Sequence, residues 1–307
     1  MRPKSRIIVN NKKSSKNIFI LLALVILGLF AYFFINSNEI ISFVHSKNPV
    51  LTPTPTLIPT PTETPTPTAT PSPTLTPTPT PIPLVGYCLN VPVLFYHHVQ
   101  PQQQAIDKKQ TPLSVDNGVF DQQIGYLTSH GYNLISAKEL VDALRNKSGL
   151  PVKSMLITLD DGYLDNYQYA FPVMQKYHVK ANLMISTGLL GGADYMSWGQ
   201  LEEMQRSGLI YWTDHTWSHF ALGNGTPDKI KYEIDTARDQ LQQHTGQIVN
   251  VFTYPYGSFN NRSIQILSQE GFIGAFSTIS GNWQCDSFIM ALHRKRIGNA
   301  SMSYYGF

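Results

Sequence analysis

From residue 84 onward, short apolar runs alternate with polar stretches of helical periodicity. The runs at 91–96, 155–159, 181–185, 209–212, 249–254 and 272–277 are rich in Val, Ile, Leu and aromatics and are bounded by Gly, Pro, Asp or Asn. This pattern predicts strands. Between them, 120–129, 137–145, 167–177, 198–206, 228–244 and 261–269 space their apolar residues as helices do. Ser197 and Thr226-Pro227 mark helix starts, and Gly131, Gly208 and Gly271 mark stops. Strand then helix, repeated six times, predicts an α/β fold with a parallel sheet or barrel. Runs that are apolar throughout predict strands covered on both faces.

The first 83 residues follow other rules. Residues 18–35 read IFILLALVILGLFAYFFI, with no charge and no proline. As a helix this segment spans about 27 Å, close to the hydrocarbon thickness of a bilayer. Its basic flank lies wholly on the N-terminal side. That predicts a single-pass anchor in the cell membrane, with a cytoplasmic tail (1–17) and the remainder extracellular. A cleaved signal peptide is the competing reading, but residues 33–37 lack a small-x-small cleavage pattern. Residues 49–83 hold 13 of the 21 prolines, mostly in Thr-Pro alternation, with one acid and no aromatic. Such a stretch cannot bury enough apolar surface to fold. Its prolines predict an extended stretch of about 100 Å over 49–83, within a disordered linker (36–83). The expected organisation is tail, transmembrane helix, Pro/Thr linker, and one domain over 84–307.

Charge narrows the function. The chain is formally +3, but six Lys or Arg fall in the first sixteen residues, leaving 17 basic against 20 acidic residues beyond them. A domain of net negative charge is not expected to bind nucleic acid through bulk electrostatics. No nucleotide cofactor is expected either.

In parallel α/β folds the chemistry sits at the C-terminal ends of the strands. There the chain supplies His97-His98, Asp160-Asp161-Gly162, Ser186-Thr187, Asp214-His215 and Pro255-Tyr256-Gly257. Two adjacent ionised carboxylates repel unless one binds a cation. The natural division gives one to a metal and leaves the other as a base. His215 and His219 at i and i+4 share a face on a helical turn and can hold one ion. With a strand-end Asp they make an Asp-His-His set suited to a divalent metal that polarises a carbonyl and activates water. The Pro-Tyr-Gly turn exposes backbone N–H groups to a developing oxyanion. Taken singly, each motif also fits a bland reading: a surface turn, a metal-free histidine pair, an ordinary loop.

Together these residues resemble the NodB-homology polysaccharide deacetylases, carbohydrate esterase family 4. TLDDG (158–162) is similar to that family's first motif, HTWSH (215–219) to its second and YPYG (254–257) to its third. The opening VPVLFYHHV (91–99) resembles the branch that includes poly-N-acetylglucosamine deacetylases. The likeness covers roughly residues 90–300. It implies a distorted (β/α) barrel and one divalent metal, zinc first, with cobalt, nickel or manganese as alternatives. It also implies a hydrolase that removes acetyl groups from a GlcNAc-containing cell-wall or extracellular polysaccharide. By the same likeness Asp161, His215 and His219 are metal ligands, and Asp160 is the base acting on metal-activated water. The Tyr256 N–H stabilises the oxyanion, and His293 is the nearest candidate for the general acid.

His97, Trp217 and Pro255 are further candidates for substrate binding or support of the site, Trp217 as the aromatic expected to line a groove. Two departures stand out. Thr253 occupies the place where the family often has an arginine that orients the base, and the family's Asp- and Trp-containing motif has no clean match near Trp283. A non-catalytic carbohydrate-binding or scaffold protein on a decayed domain, and an acetyl-xylan-type esterase, are the alternative functions. Cys88 and Cys285 are the only cysteines. Outside the cytoplasm they fit a disulfide or two buried thiols equally well.

Overall fold

The computed structural model describes residues 85–307. The expected tail, transmembrane segment and Pro/Thr linker lie outside the described residues. Among the described residues, no helix is long and apolar enough to cross a membrane.

The strands are β1 (Cys88–Asn90), β2 (Val93–Tyr96), β3 (His98–Val99), β4 (Ser114–Val115), β5 (Asn133–Leu134) and β6 (Ser154–Asp161), followed by β7 (Ala181–Ile185), β8 (Ile210–Asp214), β9 (Val251–Thr253), β10 (Gly274–Phe276), β11 (Trp283–Cys285) and β12 (Lys295–Arg296). The α-helices are α1 (Gln102–Asp107), α2 (Asn117–Ser129), α3 (Ala137–Asn146), α4 (Phe171–Tyr177), α5 (Trp198–Arg206), α6 (Pro227–Thr245) and α7 (Asn261–Gln269). Side chains cap α2, α3, α5, α6 and α7 at their first turns. Ser136 with Glu139 and Ser197 with Gln200 form reciprocal capping boxes, and Thr226 caps α6 ahead of Pro227.

Eight strands form one parallel sheet in the order β10-β9-β8-β7-β6-β2-β12, with β5 also paired to β6. Every residue of β2, β6 and β7 is buried, as their largely apolar sequences favour. Alternate residues feed two cores. Leu94, Ile157, Leu183 and Trp212 pack with Phe120 and Ile124 of α2, Met174 of α4 and Leu201 of α5. Val93, Leu156, Met184 and Val251 pack with Leu140, Val141 and Leu144 of α3. Truncating one such leucine to alanine costs about 2–5 kcal/mol. Asn182, buried in β7, ties α3 to the sheet: its Oδ1 accepts from Ala137 N at 2.6 Å and its Nδ2 donates to Ile157 O at 3.0 Å.

The sheet is a half-barrel whose two edges are bridged by one segment. Leu292 makes a parallel bridge to Phe276 of β10, and three residues later Lys295 pairs with Leu94 of β2. Outside the sheet, β1 and β11 form an antiparallel ribbon with Cys88 opposite Cys285. The two cysteines are disulfide-bonded, their Cα atoms 4.1 Å apart.

Candidate active site

The last two residues of β6, Asp160 and Asp161, stand at the C-terminal rim of the sheet. Successive strand residues point to opposite faces, yet both carboxylates line one cavity. The backbone explains this: Asp161 itself is left-handed (φ 75°) and Gly162 follows at φ 85°, so the chain turns before the second side chain can diverge. A left-handed non-glycine residue stores about 1–3 kcal/mol, which the surrounding structure must hold in place.

His215 and His219 come from the segment after β8. The i, i+4 spacing predicts a helical turn, but the segment is a loop in which Thr216 (φ 65°) and His219 (φ 59°) are both left-handed. Two acids impose that shape. Asp214 Oδ1 accepts from Thr216 N at 2.7 Å, and burial pushes this carboxyl well above its ordinary range. Glu233, fully buried on α6, accepts from Ser218 N at 2.8 Å and Ser218 Oγ at 2.7 Å, while its carbonyl accepts from Trp217 N.

The loop brings the two imidazoles onto Asp161. His215 Nε2 lies 3.3 Å and His219 Nε2 3.1 Å from Asp161 Oδ1. That oxygen is buried and, among the described residues, has no hydrogen-bond partner. The Nδ1 of His215 is committed to Thr253 O at 2.7 Å, which leaves its Nε2 lone pair facing the carboxylate. Three electron-pair donors therefore converge on one point, all within 4.8 Å of one another. A cation held between the three donors satisfies that arrangement, so the donor set fits a divalent metal. Burial pushes the Asp161 carboxyl up, but the two imidazoles outweigh it and hold the group well below its usual range.

The cavity has a volume of about 360 Å³ and is lined by His97, Tyr163, Tyr195, Tyr254, Tyr256 and Arg294 besides the four residues above. This is the size of a small-ligand pocket. The turn after β9 places Tyr256 at its rim, left-handed (φ 59°), 72% exposed and with its ring 4.5 Å from that of His219. Gly257 N donates to Tyr254 O and Ser258 N to Pro255 O, while the Tyr256 N–H has no acceptor among the described residues.

The polysaccharide deacetylase family profile matches residues 147–274, the span that carries Asp160, Asp161, His215, His219 and Tyr256. Over that span the chain matches the polysaccharide deacetylase family. Among proteins similar to it, YxkH of Bacillus subtilis strain 168, whose name places it with the polysaccharide deacetylases, is 28% identical over 207 residues. That match covers 67% of this chain and 71% of YxkH. A poly-beta-1,6-N-acetyl-D-glucosamine N-deacetylase of Staphylococcus epidermidis is 28% identical over 52% of this chain and 59% of its own length. A Streptococcus pyogenes deacetylase solved in complex with acetate superposes with a TM-score of 0.66 at 28% identity, over 71% of this chain and 96% of that one.

The remaining candidate residues are placed as follows. His97 lines the cavity, and burial outweighs the nearby Asp160 and Asp161 charges to lower its pKa. Pro255 is buried and shapes the turn without lining the cavity. His293 does not reach the cavity. Its ring stacks on Phe288 at 4.5 Å and lies against Gly281, where an added Cβ would meet its Nδ1 at 2.6 Å. Trp217 does not line the cavity either: its ring covers Gly188 and meets Tyr232 edge-on. Aromatic lining comes instead from Tyr163 and Tyr195, stacked 5.1 Å apart.

Arg294 is the residue that sequence reasoning missed. It is 1% exposed, and its Nη1 donates to Asp160 Oδ1 at 2.7 Å and to Thr158 Oγ1 at 3.2 Å, while Nε donates to Ser277 O. The guanidinium expected at position 253 thus arrives from the segment that bridges the sheet edges. Thr253 itself leaves its buried hydroxyl unpaired and contributes only its carbonyl, to His215. The available signal was alternation: in Leu292-His293-Arg294, an inward Leu292 puts Arg294 inward and His293 outward.

Proposed function

We propose that this domain hydrolyses N-acetyl groups on a GlcNAc-containing polysaccharide, releasing acetate and leaving a free amine on the sugar. The observation that carries the reading is the division of labour between adjacent carboxylates. Asp160 is ion-paired to a buried arginine, and Asp161 converges with two imidazoles in the same cavity. A divalent ion held by Asp161, His215 and His219, zinc by preference for this mixed nitrogen and oxygen set, supplies Lewis acidity toward water and the acetyl carbonyl.

The chain's own residues do the rest. Arg294 fixes Asp160 Oδ1 and leaves the other oxygen to take a proton from the attacking water. The Tyr256 N–H donates to the carbonyl oxygen as charge develops on it. His97, whose pKa burial lowers, takes up the proton that Asp160 gained and hands it to the departing nitrogen, returning to its neutral form. Water adds to the carbonyl carbon, the C–N bond breaks, and the proton taken from water ends on the amine. Tyr163, Tyr195 and Tyr256 offer ring faces for the sugar. The likeness to the staphylococcal enzyme and the branch resemblance of residues 91–99 support a poly-N-acetylglucosamine substrate. The apolar segment 18–35 and the Pro/Thr stretch support an extracellular domain held off the membrane on a stalk.

The test is acetate release from β-1,6-linked N-acetylglucosamine oligomers, peptidoglycan and acetylated xylan, with and without chelator. Chelator-sensitive acetate from a GlcNAc polymer supports the proposal. Acetate from xylan alone makes the domain an esterase, and none from any substrate favours a binding or scaffold role.

A further inference from the structure

The position of Arg294 depends on a device remote from the cavity. Gln284 lies in β11, fully buried, next to the bridged Cys285. Its side chain captures both main-chain groups of one residue. Oε1 accepts from His293 N at 2.9 Å and Nε2 donates to His293 O at 3.0 Å; the same Nε2 also donates to Val91 O at 3.1 Å. The next residue along the chain is Arg294. Resting on the deacetylase reading above, we propose that Gln284 is a positioning residue for the base, and that the Cys88–Cys285 bridge holds it in place. The clasp runs from the disulfide through Gln284 to the His293 backbone, and from there through Arg294 to Asp160.

Three features support this. First, β1 and β11 have three residues each and lie outside the main sheet, and a ribbon of that size is marginal alone. The disulfide, with Tyr87 N donating to Asp286 Oδ1 and Asp286 N to Tyr87 O, makes it a fixed point. Second, Gln284 is not required by the sheet. Leu292 is held by β10 and Lys295 by β2. Between them Arg294 N donates to Ile279 O, and the His293 groups are given to Gln284. Third, a side-chain amide that takes one residue's donor and acceptor together fixes the orientation of the adjoining peptide planes. That sets the direction in which the next side chain leaves the backbone, and Arg294 must meet Ser277 O, Thr158 Oγ1 and Asp160 at once.

The experiment compares the full-length wild type with Gln284→Met, which keeps length and loses the hydrogen bonds, with Arg294→Met, and with the double variant. Two readouts are taken. The first, independent of activity, is solvent exchange of the Arg294 Nε–H by ¹⁵N NMR, its signal assigned by its loss in Arg294→Met. The second is kcat and KM for acetate release, with metal content measured. In the wild type the Nε–H is protected, and in Gln284→Met it exchanges faster. Turnover in Gln284→Met falls about tenfold, short of the roughly hundredfold that an ångström-scale misplacement costs, while KM and metal content hold. Gln284→Met adds no further loss in the Arg294→Met background. Cys88→Ser with Cys285→Ser shifts both readouts in the same direction by a smaller factor. Unchanged protection in Gln284→Met, unchanged kcat, or losses that multiply in the double variant overturn the proposal. A wild type that releases no acetate defeats the deacetylase reading, and the exchange measurement still decides the clasp.

Discussion

Replacing Arg294 with methionine removes the charge that faces Asp160 and leaves the volume nearly filled. Both side chains are buried, 1% and 3% exposed, with 2.7 Å between Nη1 and Oδ1. Breaking a buried ion pair from one side costs about 3–5 kcal/mol, because the remaining charge stays desolvated without a partner. For a domain of this size 1 kcal/mol moves the melting temperature by about 2–4 °C, so the expected drop is roughly 6–20 °C. The rate falls further than stability alone implies. Asp160 Oδ1 loses its anchor, and a base free to rotate loses on the order of hundredfold in kcat. Arg294→Lys falls between the two, since one ammonium cannot reproduce the guanidinium fork that serves Ser277, Thr158 and Asp160 together. The assay is thermal melting plus single-substrate acetate release at saturating metal, below the variant's melting point. A folded, metal-loaded Arg294→Met with wild-type kcat refutes the tether.

The remaining predictions follow from the same geometry. His215→Ala removes one of three converging donors, so dialysed protein retains no stoichiometric metal by elemental analysis while circular dichroism keeps the native fold. His97→Gln lowers kcat by about 10²–10⁴, the usual worth of a proton-transfer group, with metal content unchanged. Burial lowers the pKa of His97. As pH falls through about 6.5, the unfolded chain therefore takes up a proton that the folded one refuses until lower pH. His97 destabilises the fold in that window, and melting of His97→Gln is less acid-sensitive there. Cys88→Ser with Cys285→Ser opens a loop of 197 residues, worth about 5 kcal/mol in the chain-entropy account, and melts correspondingly lower.

How much of this was legible beforehand differs by element. The strand over 181–185 and the helices over 198–206 and 261–269 match the structure residue for residue, because strong periodicity and local caps agree there. Strands β1, β11 and β12 were invisible, since strands of two or three residues exist only through the tertiary partners that hold them. Asp160 and Asp161 of TLDDG and His215 and His219 of HTWSH do meet in one cavity, but the shape of the second motif was misjudged. Its spacing suits a helix, and nothing local reveals that Asp214 and the distant Glu233 capture its N–H groups and force a loop. Arg294 and His293 show the same limit. Which of two neighbours faces the base is set by edge pairings at Leu292 and Lys295, and those depend on the closure of the whole sheet.

The central claim is that Asp160 acts as base while Asp161, His215 and His219 hold the metal. Acetate release from a β-1,6-linked N-acetylglucosamine oligomer, measured for wild type and Asp160→Asn at equal metal content, tests it directly. The account predicts chelator-sensitive turnover in the wild type and a loss of at least about 10² in Asp160→Asn with metal still bound. Equal rates for the two proteins would contradict it.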